Sequence, residues 1–231
     1  MKISNNLIKS KLKATFIHFI ISLFIFTMIV VWMLYSLYPS IYFNMSGGKQ
    51  GLWLMFCVDL VLGPLLTFLV FNPSKKTKEI ISDFLVIGIV QMMALGYGFH
   101  TVYMQRPKLA VVYDMGSAIM MNAQEVADDE SLKSINLDTL SEIEGKPFAG
   151  LVIKNNEAVY VNLHDAANLV ETVDKLGRRS LDKQESDQLA ALEKQHGKVF
   201  VISLAGKYMG AYLILDKNLN FIEKIGEKPM I

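Results

Sequence analysis

Cysteine is nearly absent from this 231-residue chain: Cys57 stands alone, so no disulfide can close within it. The four histidines, His18, His100, His164 and His196, are scattered and have no cysteine partners, which leaves no zinc-ligand spacing. Other signatures are missing as well. The acidic run Glu125, Asp128, Asp129, Glu130 lacks the Asp-x-Asp-x-Asp-Gly order of a calcium loop and is expected to be a solvated helix start. No glycine-rich segment ends in Gly-Lys-Ser/Thr ahead of a helix, and no serine or cysteine lies in a nucleophile motif. The sequence therefore predicts no enzyme, no catalytic residue, no metal and no cofactor. His164-Asp165 is the one pair with acid/base character, and Asp165 is expected to serve as a helix cap instead. Arg178-Arg179 are expected in a solvated turn, with an anion contact as the alternative.

Acid is scarce in one half only. Residues 1–107 hold nine Lys/Arg against three Asp/Glu, whereas residues 108–231 hold fourteen against nineteen. The net charges are +6 and −5, which sum to the formal +1 of the whole chain. With 52% hydrophobic residues, above the roughly 45–50% of soluble domains, the chain divides into a basic-flanked apolar part and an acidic polar part. An acidic domain is a poor partner for nucleic acid.

Three apolar runs account for the first part: about 14–38, 51–71 and 80–103. Each matches the roughly 20 residues that a helix needs to cross a bilayer. The first is too long for the apolar region of a cleaved signal peptide and has no small-residue cleavage site, so it reads as an uncleaved anchor. Lys2, Lys9, Lys11 and Lys13 precede the first run, and Lys75, Lys76 and Lys78 separate the second from the third. Basic residues in short loops mark the cytoplasmic side. The N-terminus is thus expected inside and everything from about residue 106 outside, in a multi-pass membrane protein. Trp32, Tyr35, Tyr38, Tyr42 and Trp53 are expected to form an aromatic belt at the outer boundary, with the loop from Tyr38 to Gly48 as a tight turn.

The expected fold class is an α-helical membrane anchor of three transmembrane helices plus a small α+β extracytoplasmic domain with an antiparallel sheet. The boundaries are 1–105 for the membrane domain and 106–231 for the extracytoplasmic one. Within the latter, 109–113 and 117–121 read as strands, followed by a polar helical region over about 123–143. Strands 148–154 and 157–163 flank Asn155-Asn156, a pair suited to a tight hairpin. A helix from Asp165 is expected to stop at Gly177, and another runs from Ser180 to Gly197. A meander of 199–204, 208–215 and 219–225 completes the domain.

One ionisable group lies deep in the second run. Asp59 is about 12 Å from its outer end at 1.5 Å per residue, and such groups face a bundle interior or a cavity. Its row at i±4 (Gly51, Met55, Gly63, Thr67) is small and polar enough for another helix to approach, and Pro64 is expected to kink the helix and free the carbonyl of Leu60. The third run offers Gly88, Gln91, Ala94 and Gly98, with Gln91 or Tyr97 as hydrogen-bond partners for Asp59. The row admits three readings: interhelical glue, a seat for a partner helix, or part of a proton path.

Several phrases, taken in order, resemble the type IV pilin accessory proteins, small inner-membrane proteins of pilus systems. They are Tyr38-Pro39, Gly47-Gly48, Val58-Asp59-Leu60-Val61-Leu62-Gly63-Pro64-Leu65-Leu66-Thr67, Val70-Phe71-Asn72-Pro73-Ser74-Lys75-Lys76, Asp83, Gln91, Ala94-Leu95-Gly96-Tyr97-Gly98, Arg106-Pro107 and Val111-Val112-Tyr113. The match covers about 38–115. It implies a non-catalytic accessory role in type IV pilus biogenesis or function, with pilin or the assembly machinery and the lipid bilayer as partners. The expected action is binding or chaperoning of pilin, with Asp59, Gly63, Pro64, Thr67, Gln91 and Tyr97 as the partner-binding set. The rival classes are an extracytoplasmic sensor or signalling anchor acting through a membrane partner, and a proton-coupled subunit. The last would require a second buried ionisable group near Asp59.

Overall fold

The computed structural model describes residues 5–133 and 135–230. Lys2, and Ser134 within the expected 123–143 helix, lie outside the described residues. Two compact units emerge, one of Met1–Ser36 with Lys49–Tyr103 and one of Leu37–Gly48 with Met104–Ile231.

The first unit contains α1 (Asn5–Ser36), then α3 (Gly48–Phe56), a π-helical stretch (Cys57–Leu62) and α4 (Gly63–Val70) in continuous succession, and α5 (Thr77–Met104). All three rods are long and apolar enough to cross a membrane. Large side chains such as Phe24, Leu69 and Met92 point outward from them, as a lipid-facing surface requires. The rods meet where small residues admit large ones: a Cβ on Gly51 would lie 2.4 Å from Val102 Cγ2. Trp32 stacks on Phe99 with ring centroids 5.4 Å apart. At the opposite end, Lys11 Nζ donates to the carbonyls of Phe68 (3.0 Å) and Leu69 (3.1 Å), groups of the last turn of α4 that no intrahelical N–H reaches. Lys75 pairs with Asp83 at 2.6 Å.

The second unit includes α2 (Tyr42–Met45) and, in order, β1 (Pro107–Val112), β2 (Ser117–Asn122), α6 (Ala123–Asp128), α7 (Glu130–Lys133), a 3-10 turn (Leu137–Thr139), β3 (Ser141–Ile143), β4 (Lys146–Lys154), β5 (Glu157–Asn162), α8 (Ala167–Arg179), α9 (Lys183–His196), β6 (Phe200–Ala205), β7 (Met209–Leu215) and β8 (Phe221–Pro229). The sheet runs β3-β4-β1-β2-β6-β7-β8, with β5 also paired to β4. It is mostly antiparallel, as expected from sequence, with two parallel pairings, β1/β4 and β2/β6, that make it mixed. Strand β1 is buried on both faces. Ala110 and Val112 pack with α8 residues Leu169, Val170 and Val173, while Leu109 and Val111 pack with Leu132 of α7.

Local chemistry explains several elements. Asn155 and Asn156 take φ of +52° and +65°, the two left-handed positions of a two-residue hairpin loop joining β4 and β5. Asn122 with Glu125, and Asp182 with Glu185, form capping boxes that start α6 and α9. The expected helix over 123–143 breaks instead into α6, α7 and a 3-10 turn. Leu132, Ile135, Leu137 and Leu140 all pack on the sheet at spacings of three, two and three, which no single helical face supplies. Gly177 does not stop α8 but lies inside it, because a Cβ there would meet the Val201 carbonyl oxygen at 2.9 Å. Asp165 belongs to a 3-10 turn before α8 and makes no cap hydrogen bond to it.

Two segments expected at the surface are structural. The loop around 42–45 supplies Ile41, Tyr42 and Met45 to the core of this unit. Tyr42 is fully buried, its hydroxyl donates to the Ile143 carbonyl at 2.5 Å, and burial pushes the phenol far above its ordinary range, so it remains a donor. Gly47 has φ +89°, and a Cβ there would strike the Tyr208 ring at 2.7 Å. Tyr38 is also buried, so of the expected belt only Trp32, Tyr35 and Trp53 are exposed. The second segment is Arg178, expected in a solvated turn. Its Nε bonds both Asp174 oxygens (2.8 and 2.9 Å), Nη1 bonds Glu193 (2.7 Å) and Nη2 bonds the Val199 carbonyl (2.7 Å), while Asp174 accepts from Val201 N–H at 2.8 Å. These side chains satisfy backbone groups of Val199, just before β6, and Val201, within it, ahead of the pairing of β6 with β2. Replacing Arg178 with Met leaves Asp174 and the Val199 carbonyl short of partners, and is expected to lower stability by about 2–4 kcal/mol. Chemical denaturation of the detergent-purified chain followed by circular dichroism measures this, with Arg178→Lys, which retains charge but not the fork, falling between.

Candidate functional site

A proline inside an apolar helix creates the site. Pro64 has no N–H for the carbonyl of Leu60, and the chain responds by widening over Cys57–Leu62, where Gly63 N–H reaches back five residues to the Val58 carbonyl. Single π-turns of this kind recur at functional positions. Here the turn buries Asp59 and Leu60, with Gly63, Pro64 and Thr67 buried just beyond.

The flanking rods complete it. Gln91 of α5 lies over Gly63, where a Cβ would fall 1.9 Å from Gln91 Nε2 and 3.2 Å from His18 Nε2. His18 of α1 shares a 2.6 Å hydrogen bond with Thr67 Oγ1 through its Nδ1. His18, Ser22, Asp59, Gly88 and Gln91, with apolar neighbours, line a cavity of about 160 Å³. Among the described residues, no hydrogen bond or ion pair reaches the Asp59 carboxyl, which is 7% exposed. Its acceptor capacity is therefore directed at the cavity.

Of the six residues expected from sequence, Asp59, Gly63, Pro64, Thr67 and Gln91 come together. Tyr97 does not: it is 73% exposed, away from the cavity. Gln91 stands beside His18, not bonded to Asp59. The row Gly51, Gly63, Thr67, expected to be open to a partner, is filled by Val102, Gln91 and His18 of the same chain. Sequence reasoning missed His18 and Ser22. A signal was present: Lys11, Thr15, His18 and Ser22 recur at i, i+4, i+7, i+11, one polar stripe along the first apolar helix.

This architecture and cavity belong to a chain with recognisable relatives. No protein-family model and no solved structure matches it. The fimbrial assembly protein of serogroups C1 and C2 of Dichelobacter nodosus is 34% identical over 118 positions, covering 51% of this chain and 89% of that protein. The chain belongs to this fimbrial assembly family, which is related to type IV pili. The serogroup I protein of the same organism is 27% identical over 236 aligned positions, 90% of this chain and 91% of its own length. The serogroup E1 protein is 26% identical with the same coverage. The Asp59-x-x-x-Gly63-Pro64 phrase, one of those that carry the resemblance, is physically the acid, the notch for Gln91 and the proline that widens the helix.

The Gly63 notch gives a direct check. Gly63→Ala is expected to cost about 1–3 kcal/mol of bundle stability by overpacking, read as the midpoint of mixed-micelle denaturation. Adding Gln91→Ala, which clears the clashing carboxamide, should recover much of that loss; no recovery would show that Gln91 is not what fills the notch.

Proposed function

We propose that this member of the fimbrial assembly family is a non-catalytic, multi-pass inner-membrane factor of type IV pilus biogenesis that binds and chaperones the pilin subunit before it enters the fibre. Its N-terminus faces the cytoplasm and the α/β unit faces the periplasm, in keeping with Lys9, Lys11, Lys13 and Lys75, Lys76, Lys78 on one side of the apolar rods. One observation carries the binding reading: the buried Asp59 carboxyl lines a cavity and has no hydrogen-bonding partner among the described residues. A donor on a partner's membrane helix, brought to this cavity, would complete it. An interhelical hydrogen bond contributes about 1–2 kcal/mol at most, which suits a hold that must be released.

This refines the expectation of an open groove on helices two and three. With the Gly63 notch and Thr67 already filled, approach is along α1 and α5, whose Ile21 and Met92 line the cavity. In cells, a photo-crosslinker at Ile21 or Met92 is expected to capture pilin, and one at Leu69, which is exposed but does not line the cavity, is not. A strain lacking the protein should lose or shorten its surface pili, with native protein restoring them and Asp59→Asn failing to do so. Unchanged pili and no pilin crosslink would refute the proposal.

A second reading is favoured by His18. A proton-coupled role requires a second ionisable group near Asp59, and His18 lines the same cavity. Under that reading His18→Gln would abolish pilus assembly as Asp59→Asn does while leaving the pilin crosslink intact, which separates coupling from binding.

A further inference from the structure

The two ends of the β-sheet are treated differently. At one end, β8 carries Glu223, Lys224, Glu227, Lys228 and Pro229, and its pairing with β7 is interrupted by two register shifts. Gly226 has φ +67°, Lys224 pairs with Glu227, and Lys228 lies 2.6 Å from Glu185 of α9. Charge, proline and bulges are the means by which proteins keep an edge strand from pairing further. At the other end, β5 has no proline and no bulge, and its single charge is Glu157 at its first position. Its sequence is Glu-Ala-Val-Tyr-Val-Asn, its register with β4 is continuous from Lys154↔Glu157 to Ala149↔Asn162, and among the described residues β4 is its sole strand partner. Because β4 takes β1 along its other edge, the unpaired edge of β5 is an end of the sheet.

That edge borders a groove. Ala158, Val159, Tyr160 and Val161 line one side of a cavity of about 650 Å³, and Ile135 and Thr139 are among those lining the rest. Four consecutive strand residues on one lining means that the groove follows the backbone edge rather than one face. Six residues of strand offer about 20 Å of edge at 3.3 Å per residue. The surroundings are acidic. Residues 123–165 contain nine Asp/Glu and three Lys, net −6, more than the whole −5 of residues 108–231. A second copy of the chain would bring the same negative charge to the edge, and like charges oppose that pairing.

We propose that β5 is a strand-addition site, where an extended polypeptide segment with basic flanking residues pairs along the edge and continues the sheet. Main-chain hydrogen bonds supply the hold and the acidic surroundings supply the selectivity. The site belongs to the α/β unit alone and does not depend on the reading given to the Asp59 cavity.

A Lys-flanked heptapeptide of alternating Val and Thr, fluorescently labelled, is the probe, titrated against the full chain in detergent. It should bind at low salt and weaken steeply as salt rises, and the same core flanked by Glu should bind at least about tenfold more weakly. Ala158→Lys, at an exposed edge position, should abolish binding. Asp138→Asn with Glu142→Gln, both exposed, should lower affinity and flatten the salt dependence, and Glu223→Lys on β8 should leave binding unchanged. Equal binding of the Lys- and Glu-flanked peptides overturns the proposal, as does binding that survives Ala158→Lys. A dimer in sedimentation that Ala158→Lys dissolves also overturns it, by assigning the edge to self-association.

Discussion

A missing backbone N–H organises the apolar half of this protein. Pro64 sits in the middle of a rod apolar enough to cross a bilayer, where an unsatisfied carbonyl is costly, and the π-stretch ahead of it is the local answer. The stretch changes which residues face inward. Asp59 comes to a cavity, and Gly63, having no side chain, leaves a notch that Gln91 fills. Thr67, one turn further, holds His18. Each step follows from the one before, so one imino acid orders contacts among all three rods.

The α/β unit answers the same demand in a different setting. Ahead of its pairing with β2, β6 is paired on one edge only, to β7, and α8 supplies Asp174 and Arg178 to the backbone on the other. Gly177 lets the helix come that close. The segment between the first two apolar rods contributes Ile41, Tyr42 and Met45 to the core and a hydroxyl to the Ile143 carbonyl. The chain therefore contributes to the α/β unit twice, before and after the second and third rods. The glycines and tyrosine in Tyr38-Pro39 and Gly47-Gly48, which carry part of the family resemblance, are explained by that packing.

Much of the architecture was legible. The apolar runs are long enough to be unambiguous, and the Asn155-Asn156 hairpin and the β6–β7–β8 meander each rest on a local rule that nothing distant overrode, whereas the helix expected from Ser180 starts later, at the Asp182 cap. Asp59, Gly63, Pro64, Thr67 and Gln91 were legible for a similar reason: polar and helix-breaking residues are conspicuous against an apolar background. The failures share a cause. The 123–143 helix broke, Gly177 and Tyr42 went into the interior and Arg178 became half-buried, because partners more than ten residues away claimed them. Tyr97 was placed at the site by residue type, but its direction around α5 depends on where α1 and α4 lie.

By itself the sequence determined the number and length of the apolar rods, the unequal distribution of charge between the halves, and the place where the second rod must depart from α-helical geometry. These are properties of consecutive residues: apolar length, loop charge and a proline ring act within a few positions. Tertiary structure alone decided that His18 joins Asp59 in one cavity, that the Asp59 row is filled from within, and that one end of the sheet is defended while the other is open. Those outcomes depend on which surfaces meet, and meeting is set by packing between segments tens of residues apart, which no local pattern encodes.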